Sequence, residues 1–306
     1  MEMIATRAAY GKALVELGNK RSDLIVLDAD LSASTQTKHF VKAFPDRFFN
    51  VGVAEQNLMV TAAGFALGGL VPFVSTFAIF AAGRAWEMVR QSICYQELNV
   101  NICATHAGLT VGEDGASHQM IEDIAIMRVL PKMNVIVPAD ATEVKQIIPA
   151  IAAMNSPCYV RLSRAASPVI FDDSYKFEIG KGNLLREGTD VTIIGCGLMT
   201  AHALEAAKIL DSKGVNAAVI NMASIKPIDR ELIIRWAKKT GRVVTVEEHS
   251  IIGGLGSAVA EVLSESYPVP IKRIGVNDEF GQSGKAIDLL KYYKLMPEDI
   301  ANAVVS

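Results

Sequence analysis

The chain has 306 residues, half of them hydrophobic, and a formal net charge of -3, which gives room for two domains of ordinary size, each with its own core. Lys, Arg, Asp and Glu are interspersed without a basic stripe, which argues against a nucleic-acid surface held through phosphates. A net negative balance offers an anionic substrate no general attraction, so such a ligand would need a local cluster of cations.

The cysteines Cys94, Cys103, Cys158 and Cys196 form no Cys-x-x-Cys pair and fall within apolar patterns. Buried free thiols in a reducing compartment fit them better than disulfides or a metal knot. The N-terminal stretch, with Glu2 and Arg7, lacks the apolar core of a signal peptide, so the cytoplasm is the expectation. Residues 56–83 are free of charge and exceed the roughly 20 residues that span a bilayer. Gly64, Gly68, Gly69 and Pro72 interrupt them, which favours a buried helix, a turn and a core strand, and no membrane partner is expected.

In chain order, apolar spacing predicts a helix over 3–17 and a strand over 24–27, too short for a helix and suited to the centre of a parallel sheet. Helix 38–44, extended 48–51, helix 54–67, strand 71–75 and helix 80–94 follow. Strand 100–105, helix 121–129 and strand 135–137 come next. Asp140-x-x-Glu143 reads as a capping box opening a helix to 154, and strand 158–162 closes the block. Residues from 163 to about 179 break the rhythm with Pro168, Asp172, Asp173 and Ser174 and read as a linker. A second block alternates strand 191–194, helix 200–210, strand 217–220, helix 229–239, strand 243–246, helix 257–264 and strand 271–275 before terminal helices. The expected class is α/β: two consecutive doubly wound domains with mainly parallel sheets.

In such sheets ligands sit beyond the carboxyl ends of the strands. The polar loops after Leu27, Val51, Ser75 and Thr105 should therefore converge, bringing Asp30, Glu55, Phe77, Phe80 and His106 near each other. Glu55 heads a charge-free run reaching to Arg84, where an ionised group is costly without a partner. An acid at a helix start also commonly serves first-turn amides and the dipole, and spacing alone leaves both readings open. Phe77 and Phe80 could simply pack a core. His106 and His118 bracket Glu113-Asp114 without any standard zinc spacing, and each could be a loop histidine with one structural hydrogen bond. Gly195-Cys196-Gly197-Leu198-Met199-Thr200 imitates a dinucleotide loop, but Asn221 stands where an acid is needed, so a structural strand-to-helix turn is expected.

The segments Asn50-Val51-Gly52-Val53-Ala54-Glu55-Gln56, Ser75-Thr76-Phe77, Gly112-Glu113-Asp114-Gly115-Ala116-Ser117-His118-Gln119 and Leu162-Ser163-Arg164 together resemble the pyrimidine-binding domain of transketolase, a thiamine diphosphate enzyme. The region from Asp190 onward resembles that family's C-terminal domain. The resemblance implies a pyrimidine-binding domain at 1–165, a linker at 166–180 and a transketolase C-terminal domain at 181–306. It implies that Glu55 bonds the aminopyrimidine nitrogen and drives ylide formation, an acid/base role. Phe77 would stack on the pyrimidine and Phe80 would line its pocket. Asp114 and His118 would contact sugar hydroxyls, with His118 acting as a proton acceptor or donor at the ketose. His106, Arg7, Ser34 and Arg164 would meet the substrate phosphate, for which an arginine fork is suited. Asp30 would lie near a subunit boundary and the entrance.

The resemblance covers about half of a full transketolase. The family holds its diphosphate through magnesium (or calcium) bound by Gly-Asp-Gly and a later Asn, oxygen ligands suited to a hard cation. Asp114-Gly115 with Asn134 imitates this poorly, so no metal site is assigned here. A separate N-terminal subunit would supply that half, within an α2β2 heterotetramer whose substrate is a phosphosugar. Transfer of a two-carbon ketol unit from a ketose phosphate to an aldose phosphate is the implied reaction. The alternatives are a 1-deoxyxylulose-5-phosphate synthase-like enzyme, a 2-oxo acid dehydrogenase beta-like subunit, and a non-catalytic subunit of the same fold.

Overall fold

A computed structural model describes residues 2–305. Among the described residues there are fourteen strands; the first half contributes β1 (Met3–Ala5), β2 (Leu24–Asp28), β3 (Phe48–Asn50), β4 (Val71–Ser75), β5 (Asn101–Ala104), β6 (Asn134–Ile136), β7 (Cys158–Arg161) and β8 (Ala166–Pro168). The second half contributes β9 (Asn183–Arg186), β10 (Val191–Gly195), β11 (Ala217–Asn221), β12 (Ser224–Lys226), β13 (Val243–Ser250) and β14 (Ile271–Val276). Seven strands form the first sheet in the order β12-β6-β7-β5-β4-β2-β3, and five form the second as β14-β13-β10-β11-β9. Pairing is parallel except at β12 and β9, each an antiparallel edge strand. The α/β class with mainly parallel sheets thus holds.

The central strands are buried along their whole length, which is why β2, β4 and β10 read as short apolar runs rather than as alternating patterns. Pro72 sits inside β4 opposite Ile25, whereas pairing of β4 with β5 begins only at Phe73. A residue with no N–H is therefore placed where one neighbouring strand is missing. The forward half of the expected capping box forms, with Asp140 accepting from the Glu143 N–H at 2.9 Å, while the Glu143 carboxylate reaches one residue further back to the N–H of Ala139 at 2.6 Å. At 195–200 the chain turns from β10 into the helix Leu198–Asp211, as expected of a structural turn, with Thr200 donating to Asn221 at 2.9 Å. All four cysteines are free and buried. Among the described residues no helix is long and apolar enough to cross a membrane.

Three local expectations are corrected. The helix expected over 3–17 begins at Thr6, because residues 3–5 pair as β1 with β8 inside the stretch read as linker. The single helix over 80–94 is two wide π-helical turns, Ile79–Arg84 and Val89–Cys94, flanking one α-turn. The helix expected over 121–129 starts at Asp123, whose carboxylate is drawn to Arg161 and Tyr159 instead of serving as a surface group. β12 belongs to the second half of the sequence yet extends the first sheet, and one apolar cluster contains Val135 and Tyr159 together with Ile194 and Ile220. The two halves therefore share core.

Candidate active site

The parallel strands β2, β3, β4 and β5 end at one sheet edge. The loops after them carry Asp30, Glu55, Phe77, Phe80 and His106, as strand polarity requires. Glu55 opens the helix Glu55–Leu67 and is 2% exposed. Its Oε2 accepts from Arg84 Nη1 at 3.0 Å. The guanidinium also lies 5.0 Å from the Phe80 ring centre, a cation–π distance. Phe80 stacks on Phe77 at 5.9 Å, and Phe77 stacks on His106 at 3.8 Å. His118 stands edge-on to both phenyl rings, 5.7 Å from Phe80 and 6.2 Å from Phe77. A buried carboxylate, two phenyl rings and two imidazoles thus form one connected wall.

His106 is buried, in a left-handed backbone conformation with φ 58°, a local strain typical of constrained sites. Its Nδ1 lies 2.8 Å from Thr105 Oγ1, and Arg7 Nη1 faces its Nε2 at 3.4 Å. Because arginine can only donate, Nε2 is the acceptor and Nδ1 carries the proton. Burial, then the charges of Arg7, Arg164 and His118, lower the His106 pKa to about 3, so its ring is neutral. Arg7 also donates to the Ser34 carbonyl at 2.7 Å. Burial and the like charge of Arg164 lower its pKa. Arg164 donates to the Val111 carbonyl and pairs with Glu113 at 3.1 Å. Arg7 and Arg164 thus bring two cations close to neutral His106, with Arg164 offset by its pairing with Glu113.

Asp114 is exposed, on the loop that ends at half-buried His118, whose Nδ1 is 2.9 Å from Ser117 Oγ. Asp30, also in a left-handed conformation with φ 64°, holds Asn50 by two hydrogen bonds. Asn134 directs its amide to Ser156 and Pro157 at the start of β6. Among the described residues no group of three or more His, Cys, Asp and Glu is placed to hold a metal ion.

Sequence reasoning missed three polar groups behind this wall. Gln119, buried, donates its amide to the carbonyls of Leu109, Gly112 and Gln282. Glu248, from β13 of the second half, takes the Thr110 N–H at 2.5 Å. Arg161 joins Asp123 to the carbonyls of Met120 and Glu248. The signal available was Glu247-Glu248-His249 ending an apolar strand, three ionisable groups where a core strand carries none without partners.

Residues 2–169 match the pyrimidine-binding domain of transketolase and residues 180–300 match its C-terminal domain. The chain belongs to the transketolase family. It is 54% identical to a Methanocaldococcus jannaschii protein provisionally named a transketolase C-terminal section, over 98% of this chain and 95% of that one. A Clostridium sp. protein named 6-deoxy-6-sulfo-D-fructose transketolase subunit is 42% identical over 97% and 92%. Human transketolase is 37% identical over 99% of this chain but only 49% of its own length, so the chain corresponds to the C-terminal section of single-chain transketolases. Among solved structures, a split-gene transketolase described as an inactive beta4 tetramer superposes with a TM-score of 0.93 at 58% identity, covering 99% and 97% of the two chains. Transketolases depend on thiamine diphosphate, a cofactor that carries a pyrimidine ring, and the matched domain is described as pyrimidine-binding.

Proposed function

We propose that this chain is the C-terminal subunit of a two-chain, thiamine diphosphate-dependent transketolase that moves a two-carbon ketol unit from a ketose phosphate to an aldose phosphate. The carrying observation is Glu55, a carboxylate 2% exposed and joined through Arg84 to the Phe77–Phe80 stack. The residues fit an aminopyrimidine: an apolar aromatic slot for a flat ring, with one acid at its edge to meet a ring nitrogen. The chemistry supplied by bound thiamine diphosphate is cleavage of the carbon–carbon bond beside a ketose carbonyl.

Glu55 would hold the pyrimidine ring nitrogen and exchange a proton with it, and its burial would strengthen that contact by excluding water. Phe77 and Phe80 stack and keep the slot dry. His118 and Asp114 hold the sugar hydroxyls, with His118 accepting the proton that leaves the ketose. Arg7, Arg164 and Ser34 grip the phosphate, and neutral His106 orients Arg7. The diphosphate and its magnesium (or calcium) rest on an N-terminal partner subunit, in an α2β2 assembly. The Methanocaldococcus jannaschii relative named as a C-terminal section, matched over 95% of its own length, supports that division.

The test mixes the purified chain with the diphosphate-binding subunit, thiamine diphosphate and magnesium, and follows ketol transfer between phosphosugars. Full turnover by this chain alone, or by a pair carrying Glu55→Ala, overturns the reading. The relative named for a sulfonated fructose favours a second donor. A sulfonate presents the same oxygens to Arg7 and Arg164, and competition between sulfo- and phosphosugars ranks the two.

A further inference from the structure

The loop 108–119, which carries Asp114 and His118, has almost no regular structure of its own. Gly108 and Gly112 take φ of 81° and 88°, and one short turn, Leu109–Val111, lies between them. Such a segment needs external support to hold a side chain to the few tenths of an ångström that catalysis asks of it. Its ends close on themselves, with the Gly108 N–H donating to the Met120 carbonyl at 2.8 Å. The middle is gripped from the second domain. Glu248 takes the Thr110 N–H at 2.5 Å. A Cβ on residue 108 would come within 2.5 Å of the same carboxylate, so Gly108 is what lets the clamp close. Ser283 donates to the Glu113 carbonyl at 3.0 Å, and Gln119 ties Leu109 and Gly112 to the Gln282 carbonyl. Leu109 is buried in the apolar cluster of the second domain, with Leu289, Leu290 and Val246.

We infer that the second domain is a working part of the active site: Glu248, with the 281–283 segment, is a positioning element that sets the substrate loop and so places His118 and Asp114. The inference rests on the proposed transketolase reading for its catalytic consequence, and on geometry alone for the clamp. Glu248 touches no substrate. It acts through the Thr110 amide; Arg161, itself paired with Asp123, donates to the Glu248 backbone carbonyl at 3.0 Å, and its charge opposes the burial that raises the Glu248 pKa. A residue serving only to neutralise Arg161 would need its charge, whereas a residue serving to hold Thr110 needs only an acceptor oxygen.

That difference sets the experiment, made with the reconstituted two-subunit enzyme. Glu248→Ala removes the acceptor, and Glu248→Gln keeps one oxygen for the Thr110 N–H. The expected result is a loss of about 100-fold in kcat/KM for Glu248→Ala, recovery to within about tenfold of wild type for Glu248→Gln, and unchanged half-saturation by thiamine diphosphate. Equal damage in both variants, or wild-type kcat and KM in Glu248→Ala, overturns the inference. If Glu248→Ala does not fold, the exposed Ser283→Ala decides: a several-fold rise in KM for the sugar supports the clamp, and an unchanged KM overturns it. Amide exchange of residues 107–119 on this chain alone needs no substrate, and faster exchange in the variant that folds is required. An inactive wild-type pair would thus sink the transketolase reading while the exchange arm still judges the clamp.

Discussion

Arg84 Nη1 meets Glu55 Oε2 at 3.0 Å, although the Glu55 side chain is 1% exposed and that of Arg84 is 53% exposed. The carboxylate is thus buried while its counter-ion stands at the solvent edge. Removing the carboxyl group while keeping its shape should separate chemistry from folding. Glu55→Gln in the reconstituted pair is expected to lower kcat by about 100-fold or more, the scale of a lost acid/base group, with an unchanged far-UV circular dichroism spectrum. A rate within a few-fold of wild type would remove Glu55 from the mechanism.

His106 gives a prediction about pH. Its pKa, lowered to about 3 by burial and then by Arg7 and Arg164, leaves the ring neutral from pH 5 upward, as its acceptor role toward Arg7 requires. The acid limb of kcat/KM should therefore not belong to His106. His106→Gln, which retains polar atoms near Arg7 and Thr105, is expected to raise KM for the phosphosugar several-fold with the pH profile unmoved. Disappearance of an acid limb near pH 6 to 7 in that variant would contradict the neutral assignment.

The folding of the site was readable to the extent that it follows from strand polarity. Short apolar runs at 24–27, 71–75 and 191–194 announced buried parallel strands, and parallel strands place their following loops at one edge. That much put Glu55, Phe77, Phe80 and His106 together. Pairings between distant segments left no local trace. β12 returns to the first sheet across an antiparallel register, and β1 joins β8 across most of the first domain; three-residue strands carry too little period to show. Glu248 escaped for the same reason, since its partner lies 138 positions away, and so did the link from Gln119 to the Gln282 carbonyl, 163 positions away. Arg84 was in view as the end of the charge-free run, but only the wide turn at Ile79–Arg84 brings it back to Glu55.

His249 predicts how stability changes with acid. It is fully buried, its Nδ1 bonds the Ser250 carbonyl at 2.7 Å, and its Nε2 faces the Ala125 N–H at 3.5 Å. Burial above all lowers its pKa to about 4, against the opposing pull of Asp123. The unfolded chain therefore takes up this proton first, and the associated stability is present at neutral pH and lost as pH falls from about 6.5 toward 4. Glu247, 3.7 Å away and raised to about 7 by burial, titrates with the opposite sign in an overlapping window, so a comparison between variants is needed. The stability advantage of wild type over His249→Gln should shrink by about 2 kcal/mol between pH 7 and pH 5. Urea denaturation at the two pH values measures it, and a constant gap would mean that His249 does not titrate in this window.

Asp123 and Arg161 supply the strongest test of how the halves are joined. Arg161 is 7% exposed and Asp123 fully buried; the guanidinium Nε lies 3.0 and 2.9 Å from the two carboxylate oxygens. The same arginine reaches the Met120 and Glu248 carbonyls, so one side chain ties β7 to the base of the substrate loop and to β13. Burial opposes its charge, but Asp123 and Glu248 outweigh that and leave its pKa above the ordinary value. Such a pair adds little over an apolar replacement, whereas breaking it strands a charge. Asp123→Asn should therefore cost about 3–5 kcal/mol, read as a lower urea midpoint. Replacing both partners, Asp123→Leu with Arg161→Met, should recover part of that stability, because neither member of the pair is left as a stranded charge, while Tyr159 loses its acceptor and Glu248 the nearby cation. Catalysis in the reconstituted pair should not recover with it, since the double variant restores neither the Met120 nor the Glu248 contact. A double variant as unstable as Asp123→Asn would show that these hydrogen bonds, and not the stranded charge, set the cost.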